Sequence, residues 1–327
     1  MRFVGRTLDD LLRKVFPKLL SSKSWVESTR GRACELLGVL IELQEPRARL
    51  SRTETRGKPF SCLGEFLWYL SRNNNLDFIS YYIPRYTNES EDGYTVYGGY
   101  GPRIFNQRGQ DQFRNVTSLL AATPGSRRAV IQLFDAEDIR RRRKEAPCTC
   151  TLQFMVRGNQ VHMMTTMRSN DVYKGFPHDI FCFTMLQEVL ARSLGLEVGI
   201  YKHFVGNLHL YDEDKIAVQQ YLSEAVQPTI SMPPMPTGDP WPSLKKLLAA
   251  EYSIRTKKEP DANLWRIDPY WADLMRLLQI FAATGDAVKI EAIKDAMVFD
   301  KYGPYIESRK TMLPRIVEPA PQLSLPL

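Results

Sequence analysis

The chain has 327 residues, of which 43% are hydrophobic and 25% charged, and it carries a net charge of +7. This is the composition of a globular protein with room for one large domain and an appendage, and no apolar run approaches the roughly 18 residues that cross a bilayer. Five cysteines, an odd number in a chain of this size, point to free thiols in a reducing cytoplasm; Asp9 and Asp10 inside the first apolar pattern argue against a signal peptide. The positive charge suits anionic small ligands as well as nucleic acid, and nucleic-acid binding is not expected as the main role.

Leu8, Leu11, Leu12, Val15 and Leu19 recur at helical spacing over 7–20, with Thr7 and Asp10 as a capping pair and Pro17 expected to end or kink the helix. The basic turn Ser28-Thr29-Arg30-Gly31-Arg32 precedes a strand over 36–43. Its N–H groups and guanidinium forks can wrap an anion, or it is a solvated loop. A helix over 61–72 carries Leu63, Phe66, Leu67 and Leu70, with Ser61 as its cap. Glu65 lies inside that apolar run, where a carboxylate must be paired or protonated. It serves either a structural hydrogen bond or a proton relay. Residues 76–103 are rich in Tyr and Gly, and aromatics in such a loop stack on a flat ligand or form ordinary core. A polar helix over 110–122 is followed by Arg127 and Arg128 at a corner before the run Ala129–Phe134. The run Arg-Arg-Arg-Arg-Lys over 140–144 reads as solvated charge on a loop.

Residues 150–156 and 161–167 are two apolar-rich runs joined by Arg-Gly-Asn-Gln, a hairpin signal. The hairpin places Cys148 at one strand's start, beside Arg168 and Ser169 at its partner's end. Nearby cations favour a thiolate there, although a free Cys is more often a small buried hydrophobe. Two cysteines, Cys148 and Cys150, are too few for zinc, so no metal is expected. Arg168 and Ser169 offer a phosphate a guanidinium fork and a hydroxyl. Asp171 suits a loop cap. Asp179 either caps a helix over 180–193 or meets a ligand. That helix, with Phe181, Phe183, Met185, Leu186, Val189 and Leu190, is expected to be the central buried one. Gly199–Tyr211 reads as a strand with His209 and Tyr211 on one side, while His162, His178 and His203 read as structural. After a helix near 211–224, six prolines in 228–242 mark a crossing segment. Helices over 268–283 and 286–298 follow, joined at Thr284-Gly285-Asp286, and the tail after Pro314 is Pro-rich.

Five stretches occur in a telling order: GEFLWYL (64–70), SRRAVIQLFD (126–135), APCTCTLQF (146–154), RSNDVYKGFPHDI (168–180) and VGNLHLYDED (205–214). Together they resemble the thymidylate synthase family over roughly residues 25–225. The resemblance implies an α+β fold: a mixed sheet flanked by helices around a long buried central helix, with residues 1–227 as the catalytic domain and 228–327 as a helical C-terminal extension. It implies that Cys148 adds to C6 of a pyrimidine monophosphate, that Glu65 relays protons and that Tyr97 of VYGGYG lies near the nucleophile. Arg30 (with Arg32 as the alternative register), Arg168 and Ser169 hold phosphate. Arg127 and Arg128 reach across a homodimer interface to the partner's phosphate. His209 and Tyr211 hold the sugar hydroxyl, and Asp171 and Gly175 contact the co-substrate, 5,10-methylenetetrahydrofolate.

Four departures carry information. The family's uracil-reading Asn is Asp179 here, which resembles the cytidylate hydroxymethylase branch. Uracil presents N3–H as donor and O4 as acceptor, matching an Asn amide; cytosine reverses the pattern, and a carboxyl accepts from N4–H₂ and, when protonated, donates to N3. Ile83 and Tyr86 stand near the places of a folate-side Trp pair, Thr149 replaces a frequent His, and no match to the family's closing C-terminal segment is found. The expected activity is 5-hydroxymethylation of dCMP. The alternatives are synthase-type methylation of dUMP or dCMP, CMP as substrate, and an inactive member that senses nucleotides or associates with nucleic acid.

Overall fold

The computed structural model describes residues 1–28, 30–53, 59–228, 231–258, 260–261 and 265–315; Thr29 of the basic turn and most of the Pro-rich tail lie outside them. The strands are β1 (Arg2–Gly5), β2 (Trp25–Ser28), β3 (Gly31–Leu43), β4 (Val130–Gln132), β5 (Thr149–Arg157), β6 (Gln160–Asp171) and β7 (Glu197–Tyr211). They form one sheet in the order β1-β3-β7-β6-β5-β4, with β2 paired to β3. The β1–β3 and β6–β7 pairs are parallel and the others antiparallel, so the sheet is mixed. The hairpin forms where the apolar alternation predicts it. Arg157 faces Gln160, and Gly158 takes φ +56°, the positive angle that a two-residue loop demands at its first position. At the open end, the Arg168 N–H donates to the Cys148 carbonyl at 2.8 Å.

Seven helices accompany the sheet: α1 (Leu8–Leu20), α2 (Pro59–Leu70), α3 (Leu76–Tyr82), α4 (Tyr100–Phe105), α5 (Gln112–Ala122), α6 (Phe176–Ser193) and α7 (Lys215–Ser223). Thr7 and Asp10 form the expected capping box on α1. Pro17 does not end that helix, because its missing N–H costs one bond while Val15, Phe16 and Leu19 stay fully buried. Ser61 is no cap: α2 begins at Pro59, and the Ser61 hydroxyl lies 3.0 Å from His178 Nε2. The Tyr-rich stretch is less loop than expected, since α3 and α4 fall within it. The central helix α6 starts at Phe176 and is buried along nearly its whole length.

The C-terminal extension holds α8 (Trp241–Arg255), α9 (Pro269–Ala282), α10 (Ala287–Asp295) and α11 (Gly303–Lys310). Helix α8 was not expected from the sequence; it opens on the last two residues of the Pro-rich segment, and Pro242 sits in its first turn, where a missing N–H costs nothing. The extension shares the core. Phe281 stacks on Tyr82 at 5.2 Å and on Phe60 at 6.0 Å, and the Tyr82 hydroxyl donates to Glu251 at 3.0 Å. Among the described residues no helix is long and apolar enough to cross a membrane.

A buried ion pair ties these parts together. Arg49 and Glu188 are both fully buried and joined by a salt bridge, and Glu188 Oε1 also accepts from the Met235 N–H at 3.0 Å. Removing one partner strands the other's charge. Glu188→Ala is therefore expected to cost about 3–5 kcal/mol, read as a lower urea midpoint, while the joint change Arg49→Met with Glu188→Leu keeps most of the stability. A loss under about 1 kcal/mol for Glu188→Ala would contradict the stranded charge.

Candidate active site

The C-terminal ends of β6 and β7, the start of α6, helices α2 and α3 and the Cys148 loop surround a cavity of about 770 Å³. This lies toward the upper end of the roughly 300–1,000 Å³ usual for small-molecule pockets. Of the residues singled out from sequence, Arg30, Glu65, Cys148, Arg168, Ser169, Asp171, Gly175, Asp179, His209 and Tyr211 all line it, as do Ile83 and Tyr86.

The Cys148 end is cationic but tightly subscribed. Arg30 donates to Glu145 at 2.8 Å and to Glu89 at 3.0 Å. Arg168 folds back over the loop and donates to the carbonyls of Ala146 and Pro147, each at 3.0 Å. Burial, reinforced by Glu89, pushes the Glu145 carboxyl up to about 7. Burial and then Glu145 push the Cys148 thiol up to about 12, against the pull of Arg168 and Arg30. Arg32, the alternative phosphate ligand, instead lies over the Trp25 ring at 4.2 Å and outside the cavity.

Glu65 faces the cavity from α2. Burial raises its pKa, and the hydroxyls of Tyr86 at 2.7 Å and Tyr69 at 3.2 Å donate to it. Asp179 does not cap α6: Gly175 holds the N-cap position, and Asp179 turns inward from the first turn. Its Oδ2 accepts from Asn170 Nδ2 at 2.8 Å. Burial and then Glu65 push its carboxyl well above the usual range, toward the neutral form. Asn170 Oδ1 in turn accepts from His203 Nε2 at 3.0 Å, and the opposite ring nitrogen lies 2.8 Å from the Tyr201 hydroxyl. Burial pushes His203 down to about 3, so its ring is neutral. His203 is structural, as expected, but what it supports is Asp179. Gly175 sits close against this pair: a Cβ would come within 3.1 Å of Asn170 Nδ2 and 3.2 Å of the Asp171 carbonyl, so a side chain there requires these neighbours to give by a few tenths of an ångström.

Two further expectations change. Tyr97 lies outside the cavity, its ring covered by Arg143 at 3.4 Å and Arg103 at 5.1 Å; Tyr100 takes the place beside the nucleophile and binds the Thr149 N–H at 3.1 Å. The 140–144 run is only partly solvated, because Arg143 and Lys144 line the cavity. Arg127 and Arg128 are exposed and outside this chain's cavity. Sequence reasoning did not single out Glu89, Glu145, Asn170 or Tyr100. Glu145 was within reach, as a lone acid between a basic run and the cysteine loop.

The sequence model of the thymidylate synthase family matches residues 49–240. A protein named deoxyuridylate hydroxymethyltransferase from Pseudomonas phage M6 is 30% identical over 254 residues, 73% of this chain and 72% of that protein. One of the same name from Bacillus phage SP01 is 30% identical over 204 residues, 58% of this chain and 53% of that protein. A thymidylate synthase from Francisella philomiragia is 30% identical over 179 residues, 50% of this chain and 65% of that protein. The chain thus spans little more than half the length of the SP01 relative and under two thirds of the Francisella one.

Glu145 raises the thiol pKa of Cys148 and Arg168 lowers it, so the two have opposite effects on thiolate content. Glu145→Gln is expected to speed alkylation of Cys148 by iodoacetamide between pH 7 and 9 by about three- to tenfold, and Arg168→Gln to slow it. Peptide-resolved mass spectrometry separates Cys148 from Cys150. Equal rates in the wild type and both variants would contradict this electrostatic assignment.

Proposed function

The chain belongs to the thymidylate synthase family, and we propose that it transfers a hydroxymethyl group to C5 of deoxycytidylate. Folate-dependent one-carbon transfer to a pyrimidine C5 is the family's chemistry. The observation that carries the cytosine reading is Asp179, buried in the cavity and held by Asn170. A carboxyl there accepts from cytosine N4–H₂ in either ionisation state and shares a proton with N3. Uracil would need the neutral form with its proton turned toward O4, and an ionised carboxylate would repel O4.

The residues divide the work. Arg30, Arg168 and Ser169 take the phosphate, which draws Arg30 away from Glu89 and Glu145, and Arg127 and Arg128 serve the second site of a homodimer. His209 and Tyr211 take the sugar. The Cys148 thiolate adds to C6, forming an S–C6 bond and leaving C5 with the electron pair, so that C5 becomes nucleophilic. Glu65, its pKa raised by burial and its carboxyl accepting from the Tyr86 hydroxyl, gives and takes protons near the ring. Methylenetetrahydrofolate, when bound, supplies the one-carbon unit. The cavity suits it: the volume accommodates a second ligand, and Tyr82, Ile83, Tyr86 and Phe281 offer a flat apolar wall beyond Asp171 and Gly175. C5 would take up that one-carbon unit, and loss of the C5 proton with departure of tetrahydrofolate would leave an exocyclic methylene; water adds to that carbon, and Cys148 departs from C6 as thiolate. The nucleotide gains CH₂O in all. Residues 1–227 act as the catalytic unit and the extension completes its wall.

A second reading, uracil as the base, is favoured by the names of the two phage relatives. Separate incubations with dCMP, CMP and dUMP decide. A gain of CH₂O on dCMP with tetrahydrofolate released is expected; the same gain only on dUMP or CMP moves the substrate, and a gain of CH₂ with dihydrofolate makes the protein a methylating synthase. Asp179→Asn is expected to lower kcat/KM for dCMP by about 10²-fold or more and to raise activity on dUMP, because a fixed amide mispairs with cytosine. An unchanged preference in that variant would remove Asp179 from base reading.

A further inference from the structure

Behind Asp179 runs a chain of polar side chains that the proposed chemistry leaves unused. Asn170, His203, Tyr201 and Thr165 are all buried. Alternation along β7 puts Tyr201 and His203 on one face of the sheet, where the Phe176 ring of α6 meets His203 edge-on at 5.3 Å. Thr165 on β6 is the register partner of His203. Asn170 Nδ2 donates to Asp179 Oδ2 at 2.8 Å, and His203 Nε2 lies 3.0 Å from Asn170 Oδ1. His203 Nδ1 lies 2.8 Å from the Tyr201 hydroxyl, which lies 3.0 Å from the Thr165 hydroxyl. A buried polar chain costs stability unless its links are made, so one that ends on a cavity residue calls for a use.

Each link has a direction. Turned one way, the Asn170 amide gives its N–H₂ to Asp179 and its carbonyl to His203; turned over, both contacts reverse. His203 decides between them. Burial pushes its pKa down to about 3, so the ring is neutral and carries a single N–H. With that N–H on Nε2, the ring pairs with the Asn170 carbonyl and not with its N–H₂. Nδ1 is then bare and accepts from the Tyr201 hydroxyl.

The sense of the amide governs what a base meets. The hydroxyl oxygen of a neutral carboxyl is the poorer acceptor. An amide donor at Oδ2 therefore makes Oδ2 the carbonyl oxygen and leaves the proton to Oδ1, which no other group binds among the described residues. The carboxyl then offers the cavity one donor and one acceptor, the pair that cytosine N3 and N4–H₂ require. With the amide turned over, its carbonyl would hold the proton on Oδ2, and the cavity would see acceptors alone. We propose that His203, kept in its Nε2–H form by Tyr201, sets the sense of the Asn170 amide and thereby directs the proton of Asp179 toward the base. His203, Tyr201 and Asn170 are thus positioning residues for base selection. This rests on the cytosine reading of Asp179 above.

Two measurements on the full-length protein test it. Long-range proton–nitrogen NMR of the wild type, with the His203 ring assigned through its own backbone, reads the tautomer. Nε2 is expected to carry the proton and Nδ1 to be bare. Calorimetry with dCMP and dUMP reads the preference. In His203→Leu the ratio of the two dissociation constants is expected to shift against dCMP by about tenfold or more. His203→Gln keeps an N–H within reach of Asn170 and restores most of the preference. A purely structural role would weaken both nucleotides together; an unchanged ratio in His203→Leu therefore overturns the proposal. So does a wild-type His203 with its proton on Nδ1, a result that needs no variant to fold. Wild-type protein that prefers dUMP sinks the cytosine reading itself.

Discussion

Three carboxyl groups taken out of water set the terms for this site. Glu65, Glu145 and Asp179 all carry pKa values raised first by desolvation. A bare carboxylate in such a wall is prohibitively costly, so each is protonated, hydrogen-bonded or paired. The surroundings follow from that. Tyr69 and Tyr86 turn their hydroxyls to Glu65, Asn170 turns its amide to Asp179, and Arg30 is drawn onto Glu145 and Glu89. Cys148 feels the same field with the opposite consequence, because Glu145 opposes its ionisation. Cys148 is held as a thiol, and Arg30, one of the two cations that favour its ionisation, is engaged by Glu145 and Glu89. On the proposed function an incoming phosphate would compete for Arg30, and binding and activation would be coupled through one guanidinium.

Much of this was legible because local patterns and tertiary needs agree. The apolar runs around Gly158 fix the hairpin register, and a one-residue irregularity between Thr149 and Thr151 then brings Arg168 against Cys148. Glu65 stood out as an acid inside an apolar run, and Asp179 as the residue standing where the family resemblance places an Asn. What failed was chosen by packing rather than by local chemistry. Tyr97 and Tyr100 sit in the same Tyr-Gly repeat, and only the cation sandwich of Arg143 and Arg103 around Tyr97 decides which of them faces the cavity. Asp179 looked like a helix cap because α6 was expected to begin at 180. It begins at Phe176, one turn earlier, with Pro177 in the first turn and Gly175 at the N-cap, close against Asn170. Helix α8 was not anticipated either; it opens on Trp241 and Pro242, the last residues of the crossing segment, since a Pro that cannot continue a helix can begin one.

The extension shows why sequence resemblance and structural completeness need not coincide. The family-like motifs end near residue 214, yet the wall opposite the nucleophile is closed by Phe281, Arg309 and Arg315. Phe281 stacks on both Tyr82 and Phe60, so the extension reaches α2 and α3, the helices that carry Glu65 and the aromatic wall. Glu251 fixes the Tyr82 hydroxyl from one side, and Gly64 leaves the room the Tyr82 ring needs on the other, where a Cβ would approach within 2.2 Å. The ring is therefore clamped between the helix that presents Glu65 and a residue from the far end of the chain. The contacts of Phe281 and Glu251 with Tyr82 thus join residues 241–282 to the packing of α2, the helix that presents Glu65 to the cavity.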